Sequence, residues 1–168
     1  VYGLSIAQGK IEETAFPDEH FDIITFWHVL DALADPNVSL QKVYRMLKRG
    51  GQLWIRVNNF RFVYWSYRLW RCYPFHDDRK ESPIVFHGYN FTASTLRRIL
   101  TGAGFQDIRI RNSPPPPGVP YPSAWDFSKK AVQLQKGLVH GVSELCYFAS
   151  FGTFFCGSTL LAESRKSA

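Results

Sequence analysis

The feature that most narrows the fold is an ordered alternation of patterns between residues 21 and 57 of this 168-residue chain. Phe21–Trp27 (FDIITFW) is a continuous apolar run with β-branched residues, the pattern of a parallel strand buried on both faces. Asp35-Pro36 follows, a capping residue with proline at the first helical position. Leu40, Val43, Tyr44 and Leu47 then fall at i, i+3, i+4 and i+7, one apolar helical stripe, and Gly50-Gly51 reads as its stop. Gly51–Val57 alternates, with Leu53, Ile55 and Val57 on one face and Trp54 and Arg56 on the other. Strand, helix and strand in this order form a βαβ unit, whose parallel crossover is right-handed.

The flanking signals extend the unit into one α/β domain. Ser5–Gln8 reads as a short strand ending at Gly9. Thr92 or Ser94 caps a second helix with Leu96, Ile99, Leu100 and Ala103 in register; Gly104 ends it, and Phe105–Arg111 is a further strand. Pro114–Pro117 forces an extended polyproline segment. Trp125–Val142 reads as a helix interrupted at Gly137, and Thr153–Ala162 as the last strand.

Composition removes several classes. Hydrophobic residues make up 45% and charged residues 20%, as in a globular chain rather than a disordered one. No apolar run reaches the ~18 residues of a membrane span, and the start does not read as a signal peptide. Cys72, Cys146 and Cys156 are too few and scattered for a disulfide framework or a metal knuckle, so a reduced, cytoplasmic compartment is expected, and no metal site. The net charge of +6 suits phosphate-bearing partners or anionic lipid, or serves only to keep a chain with 16% aromatic residues soluble. Because the chain opens on Val1 within an apparent element, it reads as a piece of a longer protein.

A connected block carries the chemistry. It runs from Gly9-Lys10-Ile11-Glu12-Glu13 through Ala15-Phe16-Pro17-Asp18 and Phe21-Asp22, then IITFWHVLDALADP (Ile23–Pro36), and ends in Leu47-Lys48-Arg49-Gly50-Gly51-Gln52-Leu53. Phe86-His87-Gly88-Tyr89-Asn90-Phe91-Thr92 and Ala103-Gly104-Phe105 follow in order. This block resembles the class I S-adenosylmethionine (SAM)-dependent methyltransferases acting on small molecules and lipids, over nearly all of the chain except Pro114–Gly152. The resemblance implies a Rossmann-like, mostly parallel sheet with an antiparallel last strand, truncated at its N-terminus. It implies one partial methyltransferase domain over 1–168, with a basic-aromatic lid region at about 60–89 and a proline-rich, helical insertion at about 112–152. The expected cofactor is SAM, and the expected reaction is methyl transfer to a small-molecule acceptor, a lipid or sugar among them.

In open α/β sheets, ligands bind beyond the carboxyl ends of the strands. Gly9, Lys10 and Ile11 match the family's adenine loop, while Phe26, Trp27 and His28 stand at a strand end where aromatic faces attract a sulfonium. The alternative for Phe26 and Trp27 is a place in the core. His28 and His87 are the candidate bases, ahead of His76 and His140, and are needed only where the acceptor loses a proton; the alternative is hydrogen bonding within their loops. Tyr64, His87 and Tyr89 fall on the substrate side. Lys10 stands where the family has an acidic or amide residue, Glu12 is either a substitute acceptor or a solvated residue, and Asp31-Ala32 replaces Glu-His. Asp22 is read as bonding backbone at its strand's start, and Lys48–Gly51 as a helix terminus. No glycine-rich strand–loop–helix fingerprint occurs in the chain, so that half of the cofactor site is expected ahead of Val1.

In the stretch from Phe60 to Tyr73, Arg61, Arg68 and Arg71 share one helical face among aromatic residues. Three readings stand: a helix packed on the sheet with its arginines in water, a substrate lid, or peripheral contact with an anionic membrane. Nucleic-acid binding is not expected. Two rivals to the enzyme remain: a non-catalytic interaction module on the same fold, and a nicotinamide-dependent Rossmann oxidoreductase.

Overall fold

The structure, a computed structural model, describes residues 6–71, 88–114 and 129–167. Its elements are β1 (Phe21–Trp27), α1 (Pro36–Met46), β2 (Leu47–Asn58), α2 (Phe60–Arg71), α3 (Ala93–Gly102), β3 (Gln106–Ser113), α4 (Lys129–Ala149) and β4 (Thr159–Arg165). The strands form one sheet in the order β1-β2-β4-β3. β1 and β2 are parallel, and β4 runs antiparallel to both β2 and β3. Three strands therefore point one way and the last opposes them, as the sequence predicts.

One face of this sheet carries the core. Phe26, Leu53, Ile55, Val57, Leu160, Ala162 and Ile110 meet Leu40 and Val43 of α1 and Leu96 and Leu100 of α3 in one apolar cluster. The opposite face is more open: Ile23 is 54% exposed and Trp27 49%. The apolar run of β1 is thus buried on the face that Phe26 shares with the core and half open on the face of Ile23 and Trp27, where its composition suggests burial on both.

The helix ends follow their local chemistry. The Asp35 carboxylate accepts from the amides of Asn37 (2.9 Å) and Val38 (3.3 Å), with Pro36 opening α1. Removing this cap by Asp35→Ala is expected to cost about 1 kcal/mol, read as a lower midpoint in urea unfolding. Thr92 caps α3 in a reciprocal box with Thr95.

Five local expectations are corrected. α1 ends at Met46 and the chain enters β2 at once, so Lys48–Gly51 is an irregularity inside a strand rather than a helix terminus. Asp22 does not serve backbone; both its oxygens take the Lys48 ammonium at 2.9 Å. α4 runs through Gly137 without a break, and the last strand begins at Thr159. Residues 6–8 carry no regular structure.

Candidate functional site

β1 and β2 run side by side with Phe26 opposite Ile55 and Trp27 opposite Arg56, so their carboxyl ends define one rim. The chain turns sharply on leaving β1. His28 adopts φ 54°, a left-handed conformation that histidine tolerates better than most residues, and its amide donates to the Arg56 carbonyl at 2.8 Å. A short 3-10 turn, Leu30–Ala32, follows with Leu30 and Asp31 buried. The Tyr89 amide donates to the Asp31 carbonyl (3.1 Å) and the Tyr89 hydroxyl to the Ala34 carbonyl (3.0 Å). Tyr89 thereby pins the loop after β1 to the segment leading into α3.

The loop at Gly9 reaches the same side. α1 begins where the β1 loop ends and descends antiparallel to the strands, so its first turn lies at the carboxyl rim. Ser39, in that turn and fully buried, donates its hydroxyl to the Glu12 carboxylate. This bond, with a backbone hydrogen bond, holds the Glu12 carboxyl below the usual glutamate range. Ile11 packs against the core cluster, and the Lys10 ammonium lies 3.3 Å from Glu13. Gly9 has φ 150° with open space where a side chain would stand, a backbone state that only glycine enters readily.

The residues singled out from sequence therefore separate by place. Gly9, Lys10, Ile11, Trp27, His28 and Tyr89 lie in the loops of the carboxyl rim or at its edge. Phe26 is 5% exposed and belongs to the core cluster, leaving Trp27 as the ring that faces outward. The His28 ring is half-buried, with Nε2 shielded from solvent. Tyr64 lies on α2, its hydroxyl 3.4 Å from the Arg68 guanidinium. His87 and His76 lie outside the described residues.

Three residues at the rim escaped sequence reasoning. Arg56 is half-buried opposite Trp27; it donates to the Pro114 carbonyl, and burial lowers its pKa from the usual arginine range. Asp31 is 2% exposed, an acidic residue drawn inward in the 3-10 turn of the loop after β1. Asn59, fully buried where β2 passes into α2, ties several segments through its side-chain amide. In the sequence Arg56 is only the outer position of an alternation, Asp31 only a departure from a motif and Asn59 unmarked, so tertiary placement alone reveals them.

Comparisons with known proteins agree on this architecture. A family model described as a methyltransferase domain matches residues 4–110. The ubiquinone/menaquinone biosynthesis C-methyltransferase UbiE of Vibrio campbellii is 27% identical over 117 residues, covering 62% of this chain and 45% of that protein. The protein of the same name from Psychromonas ingrahamii is 43% identical over 53 residues, 32% of this chain and 21% of its own length. The chain thus spans about half the length, or less, of these curated relatives. Among solved structures, a SAM-dependent methyltransferase from Thermotoga maritima superposes with a TM-score of 0.60 at 17% identity, over 98% of this chain and 65% of that one. Another from Archaeoglobus fulgidus gives 0.56 at 15% identity, over 98% and 68%.

Proposed function

Because this chain belongs to the methyltransferase-domain family, we propose that it is the part of a SAM-dependent methyltransferase that receives the nucleoside and sulfonium ends of the cofactor. We further propose that the acceptor is a small lipophilic molecule methylated at carbon, the reaction named for the UbiE relatives. The observation that carries this reading is the convergence of two loops. Gly9–Ile11 and Trp27–His28 leave on one side of the sheet, and the Ser39–Glu12 hydrogen bond fastens the first to the helix that follows the second.

The chemistry of these residues fits the cofactor. The backbone at Gly9 leaves room for close approach, Ile11 offers an apolar edge, and Trp27 presents half of an aromatic ring, which favours a positive sulfonium. SAM, when bound, supplies a methyl group carried on a positively charged sulfur. The protein's part in such a displacement is chiefly alignment. The left-handed turn at His28, pinned to Arg56, fixes where Trp27 ends and the acceptor side begins. Tyr89 holds that turn's far end, so both borders of the rim are anchored by hydrogen bonds rather than by packing alone.

Irradiating the chain with methyl-labelled SAM and mapping the labelled peptides tests the reading. Label is expected on peptides holding Gly9–Ile11 or Trp27–His28, removed by excess S-adenosylhomocysteine and reduced about tenfold in Trp27→Ala, as for a lost aromatic contact of about 1.4 kcal/mol. Label spread over the chain without competition would overturn it. In calorimetric titration this chain is expected to bind SAM more weakly than micromolar, since its sequence contains no glycine-rich strand–loop–helix fingerprint.

A further inference from the structure

α4 turns the wrong face to water. At about 100° per residue, Leu134, Leu138, Val142, Leu145 and Phe148 lie within an arc of about 120°. All five are exposed, Leu145 at 71% and Phe148 at 72%. Ser143, on the opposite side of the helix, is 1% exposed, and its carbonyl accepts from Asn112 of β3 at 3.3 Å. A helix that packs its small polar residue inward and shows leucine, valine and phenylalanine outward is inverted relative to an ordinary surface helix.

The surface continues onto neighbouring segments. Phe151, at the turn that follows α4, is 96% exposed. Trp65 and Leu69 of α2 are also exposed, and two open apolar hollows of about 220 and 350 Å³ lie along the helices, sharing Phe62 and Cys156 in their walls. Cations are interleaved with these rings. Arg61, Arg68 and Arg71 of α2 are exposed, with Arg61 over the Phe154 ring at 5.4 Å and Arg68 over Trp65 at 6.0 Å. The sequence of α2 contains no acidic residue; that of α4 contains Lys129, Lys130 and Lys136 against the single acid Glu144.

We propose that the outer faces of α2 and α4, with Phe151 as an inserted tip, dock this protein on the surface of an anionic lipid bilayer. Charge selects this occupant. A second copy would set the arginines of α2 against a like-charged face, whereas anionic headgroups satisfy the guanidinium groups while the apolar stripe enters the acyl boundary. Tryptophan and arginine alternating on one face suit an interface that is apolar on one side and wet on the other. No described helix is long and apolar enough to cross a membrane, so the contact lies along the surface. The inference uses α2, α4 and the turn after α4, and stands independently of whether SAM binds.

Flotation of the full chain with vesicles of phosphatidylcholine alone, or of phosphatidylcholine with phosphatidylglycerol, tests it. The chain is expected to partition at least about tenfold more strongly onto the anionic vesicles, less so as salt rises. Phe148→Asp with Phe151→Asp is expected to reduce binding at least about tenfold, and Arg61→Gln with Arg68→Gln and Arg71→Gln to remove the preference for anionic lipid. Circular dichroism melts confirm that each variant is folded, and the two sets alter different segments, so either alone decides. Equal binding to both vesicles, binding indifferent to both sets, no binding, or a dimer dissolved by Phe148→Asp with vesicle binding unchanged would each overturn the proposal.

Discussion

Gly51→Ala is expected to destabilise the chain by about 3 kcal/mol, lowering the melting temperature by about 6–12 °C. A Cβ at this position would stand 2.8 Å from the Lys48 carbonyl oxygen and 3.2 Å from that of Asp22. Both are backbone atoms, and neither is free to retreat. Between the pairs Phe21–Leu47 and Ile23–Gln52, β1 advances two residues while β2 advances five, so Lys48–Gly51 is looped out beside the start of β1. The Lys48 ammonium clamps the Asp22 carboxylate, and the Gly51 carbonyl accepts from the Lys166 amide at 2.9 Å, closing the loop against the end of the chain. Gly50, at φ 72° but with open space around it, provides the control: Gly50→Ala is expected to cost about 1 kcal/mol from backbone strain alone. Thermal melts of the two variants check the ranking, and a Gly51→Ala melt indistinguishable from the parent would disprove the close approach.

This pair of glycines also shows what the sequence can and cannot disclose. Gly-Gly after an amphipathic stripe looks like a helix stop, because glycine after the last periodic residue is the usual end signal. Here the helix has already ended at Met46, and the glycines allow a strand to begin, bulge and continue. Asp35-Pro36 and Thr92, by contrast, act within three residues of themselves, and both helix starts are where the sequence puts them. The run Phe21–Trp27 was legible as a strand, but not as one with Ile23 and Trp27 half exposed on one face. An apolar run reports how hydrophobic a segment is, not which neighbour covers each face. Gly137 offers a similar lesson, since a glycine inside a helix costs only about 1 kcal/mol, an amount that tertiary contacts readily offset.

The candidate site divides in the same way. Motif order placed Gly9–Ile11 and Trp27–His28 at strand ends, which is local information. The bond that fastens the first of these loops to the helix after the second spans Glu12 and Ser39, 27 residues apart; Glu12 stands out in the motif, but nothing in the sequence marks Ser39 as its partner. Arg56 and Asp31 show the converse. Each looked like part of an alternation or a departure from a motif, and only the packed chain brings a guanidinium and a carboxylate inward at the rim.

Asn59→Ala is expected to cost about 3 kcal/mol, and Asn59→Asp more, although aspartate caps helices as well as asparagine does. The Asn59 side chain is fully buried and makes three hydrogen bonds. Its oxygen accepts from the Arg61 amide at 3.2 Å, capping α2. Its nitrogen donates to the Phe155 carbonyl at 3.1 Å and the Gly157 carbonyl at 2.9 Å, holding the segment between α4 and β4 against the start of α2. Alanine leaves two carbonyls and one amide without this partner, each loss worth about 1 kcal/mol or more when buried. Aspartate keeps the cap but aims a second oxygen at two carbonyl oxygens, turning two attractions into repulsions at a buried position. If Asn59 acted only as a helix cap, the aspartate variant would melt with the parent; if it acts as the tie between α2 and residues 155–157, aspartate must rank below alanine. Hydrogen exchange at the Arg61 and Val63 amides separates the two in a second way, because Val63 bonds to the Asn59 carbonyl at 3.0 Å and its protection falls only when the whole junction opens.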